Sequence, residues 1–208
     1  GSSEEVHGIA ADAAGNAYVA GYTGSQDFIS TPGSYDPTYN GMWGAGDAFL
    51  VKLNPAGSGL VFGTFLGGAT GGDGALGLAL DGSGNAFLAG PTGSSDFPVT
   101  ADAVDTTGGG AEAFLASIDA NGTTLRYGTY LGGSGWEYGY AVALGPGGSA
   151  FLVGSTDSSD FPVTPGAFDT TPPFGVTADA FVARIGFGGG LPPIANAGTP
   201  SFKARPRY

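Results

Sequence analysis

The stretch Asp47-Ala48-Phe49-Leu50-Val51-Lys52-Leu53 decides the reading of this chain, because it returns twice. Glu112-Ala113-Phe114-Leu115-Ala116-Ser117-Ile118 and Asp179-Ala180-Phe181-Val182-Ala183-Arg184-Ile185 keep its order of acid, alanine, phenylalanine and aliphatic residue. The copies begin 65 and then 67 positions apart. A fixed period of this kind is the signature of a repeat architecture. Within the stretch Phe49, Val51 and Leu53 take one face, as do Phe114, Ala116 and Ile118 in the second copy, and the other face ends in Lys52, Ser117 or Arg184. That is the period of two expected of a mostly buried strand.

The similarity extends in both directions. Upstream, Gly8-Ile9-Ala10-Ala11-Asp12 followed by Gly15-Asn16-Ala17-Tyr18-Val19-Ala20-Gly21 aligns with Gly77–Asp81 plus Gly84–Gly90 and with Ala141–Gly145 plus Gly148–Gly154. Ser25-Gln26-Asp27-Phe28 aligns with Ser94-Ser95-Asp96-Phe97 and Ser158-Ser159-Asp160-Phe161. Downstream, Gly63-Thr64-Phe65-Leu66-Gly67-Gly68 answers Gly128-Thr129-Tyr130-Leu131-Gly132-Gly133. Each copy predicts four short strands, in the first near Gly8–Ala11, Ala17–Gly21, Ala48–Leu53 and Leu60–Leu66. Turns such as Asp81-Gly82-Ser83-Gly84-Asn85 supply the positive φ and side-chain bonds of a tight hairpin. No stretch has a capped helical pattern.

The expected fold is therefore all-β: three repeats, each a β-propeller-type blade of four antiparallel strands. The repeats span residues 4–68, 69–133 and 134–190, and a Pro-rich tail covers 191–208. After Arg184-Ile185-Gly186-Phe187 no fourth strand is apparent, which makes the third blade incomplete and the strand count eleven. Three blades form an open arc, since closed propellers have about four to eight. Sheet edges left open invite pairing, so something is expected to cover them.

The motif series Asp96-Phe97-Pro98-Val99-Thr100, Ala103-Val104-Asp105-Thr106-Thr107, Glu112-Ala113-Phe114-Leu115 and Tyr127-Gly128-Thr129-Tyr130-Leu131-Gly132-Gly133 resembles the SBBP, or seven-bladed beta-propeller, repeat family. The third copy carries the same series from Asp160 to Thr171, and the resemblance covers residues 4–186. It implies a propeller fold in a large secreted or surface-attached bacterial or archaeal protein with no assigned reaction. Leu191-Pro192-Pro193-Ile194-Ala195-Asn196-Ala197-Gly198 is similar to the opening of PKD-type domains, which often follow such repeats. Residues 199–208 depart from that pattern.

Composition narrows the function classes. The net charge is −12 with six Lys and Arg, three of them in the last six residues. The remaining body should repel phosphate backbones and anionic lipid, so neither nucleic acid nor membrane insertion is expected. No run approaches the roughly 18 apolar residues of a spanning helix. The absence of Cys excludes disulfides, thiolate metal sites and Cys nucleophiles. The 42 glycines sit beside 41% hydrophobic residues, a balance of tight turns and core rather than of disorder.

Eighteen acidic residues invite a carboxylate-pair or calcium reading, but most recur once per repeat. Asp27, Asp96 and Asp160 are equivalent, as are Asp36, Asp105 and Asp169, then Asp47, Glu112 and Asp179, then Glu4, Asp73 and Glu137. A residue required in every blade reads as a turn or strand-end feature. His7 is the one histidine, with Leu76 and Tyr140 as counterparts, and reads as a strand residue. No catalytic residue, metal site or cofactor is expected. Candidate binding residues are the aromatics Tyr35, Tyr39 and Trp43 of the longest loop, and Trp136 and Tyr138 ahead of the third blade, which could stack on a glycan or a surface protein. Candidate assembly residues are Phe202, Lys203, Arg205, Arg207 and Tyr208, a basic aromatic tail facing an acidic body. The expected function is a non-enzymatic structural or adhesive module at the cell surface. Its expected partners are copies of itself or further blades of a larger parent. The alternative is a carbohydrate-binding or carbohydrate-active propeller, a lyase or glycosidase with carboxylates at the channel mouth.

Overall fold

The computed structural model describes residues 3–41, 45–171, 178–187 and 196–198. Three separate four-stranded antiparallel sheets follow one another along the chain. The first holds β1 (Glu4–Ala11), β2 (Ala17–Thr23), β3 (Asp47–Leu53) and β4 (Leu60–Leu66) in that order. The second repeats this with β5 (Gly77–Leu80), β6 (Ala86–Thr92), β7 (Glu112–Ile118) and β8 (Leu125–Leu131). The third contains β9 (Glu137–Gly145), β10 (Ser149–Thr156), β11 (Asp179–Gly186) and β12 (Asn196–Gly198). All-β, propeller-type blades are thus the architecture. The strand count is corrected from eleven to twelve, because Asn196–Gly198 of the supposed tail pairs with Val182–Arg184 of β11. The described part of this outer strand has three residues, against seven in β4 and β8.

Local chemistry explains each blade. In the first hairpin the Asp12 carboxylate accepts from the Ala14 and Asn16 amides and from Asn16 Nδ2, while Gly15 takes φ +83°. Asp81 and Asn85 build the same ring in the second blade. The strand that follows carries one glycine per blade, Gly21, Gly90 and Gly154. A side chain there would strike the backbone carbonyl of Glu5 or Tyr138 on the first strand, or of Gly74 just ahead of it. In blades one and three that strand is bulged, with His7 and Tyr140 as the extra residues. The bulge presses a carbonyl inward, and only glycine leaves room for it.

The long loop between the second and third strands folds back on its own blade. Phe28 stacks on Phe49 at 4.5 Å, Phe97 on Phe114 at 4.5 Å and Phe161 on Phe181 at 4.8 Å. Such tilted pairs contribute about 0.5–1.5 kcal/mol beyond the area they bury. A Thr on the fourth strand anchors the loop further along. Thr64 accepts from the Asp36 amide and Thr129 from the Asp105 amide, each at 2.9 Å.

Blades pack face to face, and each contact is an apolar layer. Between blades one and two, Tyr18, Ala20, Leu50, Phe62 and Leu66 meet Leu88, Phe97, Phe114 and Ile118. Between two and three, Leu115, Tyr127 and Leu131 meet Leu152, Phe161, Phe181 and Ile185. A central strand is therefore buried on both faces, and every residue of β7 is buried. First strands β1, β5 and β9 lie side by side along one edge of the arc.

Candidate functional surface: the joints between blades

Backbone pairing places an acid, a threonine and a second acid in one row in every blade, in blade two through an isolated bridge at Asp73 ahead of β5. Glu4 pairs with Thr23 and Thr23 with Asp47; Asp73 with Thr92 and Thr92 with Glu112; Glu137 with Thr156 and Thr156 with Asp179. The threonines are buried, and their hydroxyls accept from the amides of Ser25, Ser94 and Ser158 at 3.0 Å. Each serine hydroxyl in turn donates to the first acid of its row: Ser25 to Glu4, Ser94 to Asp73, Ser158 to Glu137.

Blade stacking sets the last acid of one row against the first acid of the next. At the first joint an added methyl group on Gly67 would lie 2.7 Å from Asp47 Oδ1 and 2.8 Å from Asp73 Oδ2. The two oxygens are therefore at most 5.5 Å apart. At the second joint Gly132 occupies the same place between Glu112 and Glu137. All four acids are at most 3% exposed. Asp47 Oδ1 and Asp73 Oδ1 have no hydrogen-bond partner. Burial pushes the Asp47 carboxyl up to about 6, and Asp73 across the joint adds to the shift. Burial also raises Asp73 and Glu112, with Asp105 and Glu137 reinforcing the latter.

The backbone closes each joint around these acids. The Asp73 amide donates to Gly46 O and the Glu137 amide to Ala111 O, both at 2.8 Å. Amides of the glycine pair that links blades point at the first acid: Gly68 N to Asp73 at 2.9 Å, Gly133 N to Glu137 at 3.1 Å. Next along the linker, the Ala69 and Thr70 amides and the Thr70 hydroxyl donate to Asp96, and the Ser134 amide and hydroxyl to Asp160. These bonds to the ionised form hold Asp96 and Asp160 below the usual carboxylate range. Acids of the repeated Asp-Phe motif thus clamp the preceding linker.

Among the described residues, the outer faces carry the same parts without the opposite half. On blade one Glu4 and Asp27 are exposed, as are Val6, Ile9 and Ile29. On blade three Asp179 starts β11, and Val153, Val182 and Phe168 are exposed, Phe168 by 95%. Phe168 corresponds to Tyr35, which packs into the first joint and whose amide donates to Gly122 O of the next blade at 2.7 Å.

Placement of the aromatic candidates follows from this geometry. Tyr35 and Tyr39 are partly buried, Tyr39 standing edge-on to Phe65 and donating to Ala45 O at 3.1 Å. Both pack against the first blade or its joint. Trp136 is 61% exposed, and Tyr138 stacks on Tyr140 at 6.3 Å. Trp43 and the tail residues Phe202, Lys203, Arg205, Arg207 and Tyr208 lie outside the described residues. The joint acids were placed in the correct repeat sets by the sequence. Their pairing across blades was missed, because no spacing within one repeat encodes a contact between two.

A hydrolytic centre is a poor fit to the acids. The Asp47–Asp73 pair is at most 2% exposed, which admits no sugar to it. A cavity of about 560 Å³ between blades two and three opens at the opposite, hairpin end. Its acid is Asp81, whose oxygens are already held by Ser83 and Asn85.

Stacked four-stranded blades with buried joints define a propeller-type module. The family model described as SBBP: Beta-propeller repeat matches residues 2–29, a stretch that includes β1, β2, Asp27 and Phe28. No curated protein matches the chain.

Proposed function

We propose that the chain is a non-enzymatic structural module of the cell surface that associates, copy to copy, through its outer blade faces. The observation that carries this reading is the repeated joint. The free face of blade one presents the Glu4–Ser25 half, and the free face of blade three presents the Asp179 half, of an interface formed twice inside the molecule. Different patches meeting head to tail form rings or open filaments. The cell-surface assignment and the adhesive role rest on the resemblance to surface-protein repeats and on the acidic, cation-poor body. Sedimentation velocity and electron microscopy test the assembly: rings or filaments support it, and a monomer at every concentration removes it.

A second reading, glycan binding without turnover, is favoured by exposed Trp136 and the Tyr138–Tyr140 stack. A glycan array whose signal survives Trp136→Ala would rule out that surface.

A further inference from the structure

We propose that each closed joint holds one proton on its pair of carboxyl groups, so that blade packing tightens as pH falls from 8 to 5. The extension to a third joint, Asp179 of one copy against Glu4 of a second, rests on the assembly reading above.

Geometry leaves two buried oxygens of the first joint, Asp47 Oδ1 and Asp73 Oδ1, without a donor. Asp47 uses Oδ2 to accept from the Asn40 amide at 2.7 Å, but its Oδ1 faces the gap beside Gly67 with no donor. Across that gap Asp73 Oδ2 already accepts from Gly68 N and from the Ser94 hydroxyl. Both acids are at least 98% buried. Two buried carboxylates this close cannot both ionise without cost, and one proton on the pair removes the repulsion. The groups that act on Asp47 are Asp73 and Asp36, with the Tyr39 hydroxyl close by; on Asp73, Asp96; on Glu112, Asp105 and Glu137. None is a cation. Lys52, Arg126 and Arg184 are engaged at the hairpin end, with Asp12 at 3.3 Å, with Asp81 and with Ser149 at 3.1 Å. A metal ion would find only two side-chain donors, since no three metal-binding side chains converge among the described residues.

The sign follows from the raised carboxyls. Asp47, at about 6 when folded against 3.8 in its ordinary state, contributes stability present in full below 3.8 and lost as pH rises through about 6. Asp73 and Glu112 act in the same direction. Asp12, Asp81, Asp96, Asp119 and Asp160 are shifted the other way and remain ionised at both pH 5 and pH 8.

Urea unfolding at pH 5 and pH 8, in a His7→Gln background that removes the one histidine, should give a folding equilibrium constant at least about tenfold larger at pH 5. Asp47→Asn, or Glu112→Gln if that variant does not fold, should shrink the ratio. An unchanged or inverted ratio overturns the proposal. So does a gain at pH 8 on adding calcium that Asp47→Asn abolishes, since a cation would then fill the gap. Sedimentation at the two pH values separates the readings. The pH effect on unfolding without association at either pH removes the assembly reading alone, and pH-independent unfolding with association removes the proton alone.

Discussion

The joint between blades one and two and the free face of blade three use equivalent positions in opposite circumstances. In the joint Leu50 is fully buried and Tyr35 reaches the neighbouring blade. On the free face their counterparts Val182 and Phe168 are 39% and 95% exposed. The chemistry of the positions is conserved along the chain while their burial is not. Position in the repeat therefore decides residue type, and the presence of a neighbour decides energy.

The largest expected difference lies in the aromatic layer. Phe114 is fully buried beneath Phe97 in the first joint, so Phe114→Ala should cost about 3–5 kcal/mol in urea unfolding. Phe168→Ala on the free face should stay within about 0.5 kcal/mol, as exposed substitutions do. Equal losses would break the comparison by showing that Phe168 is covered in solution.

Glycine offers the next contrast. Gly67→Ala places a methyl group under 3 Å from both joint carboxylates, and overpacking of this kind should cost about 1–3 kcal/mol. At Gly82, in a hairpin turn, nothing lies within 4 Å of the added carbon and φ is not in the left-handed range. Gly82→Ala should be neutral or stabilise by up to about 1 kcal/mol through the unfolded chain.

Blade content was legible because it is local. β4 falls on the predicted Leu60–Leu66, and β3 differs from its predicted span only by Asp47. The first strand runs four residues earlier than expected, from Glu4, because a bulge at His7 breaks the alternation that marks a strand. The outermost strand of blade three escaped notice since Asn-Ala-Gly has no apolar alternation; pairing with β11 is what defines it. The acids were recognised as repeated scaffold positions, yet Asp47 opposite Asp73 depends on how two sheets stack. Tyr39 of the long loop stands edge-on to Phe65, a contact to a residue 26 positions later that loop sequence alone does not encode.

The smallest expected effect concerns the clamp acid. Asp96 accepts two linker amides and a hydroxyl across the first joint, whereas Asp27, its counterpart on the free face of blade one, is exposed and meets no linker among the described residues. Hydrogen bonds to a charged group are worth more than neutral ones, but exposure to water discounts them. Asp96→Ala should therefore cost about 1 kcal/mol at pH 7, and Asp27→Ala nothing measurable in the isolated chain. The two should converge if a second copy supplies the missing linker. Unfolding measured below and above the concentration at which copies associate checks this: Asp27→Ala becoming costly only in the assembled form would show that the free face closes as the inner joints do, and indifference at both concentrations would show that it does not.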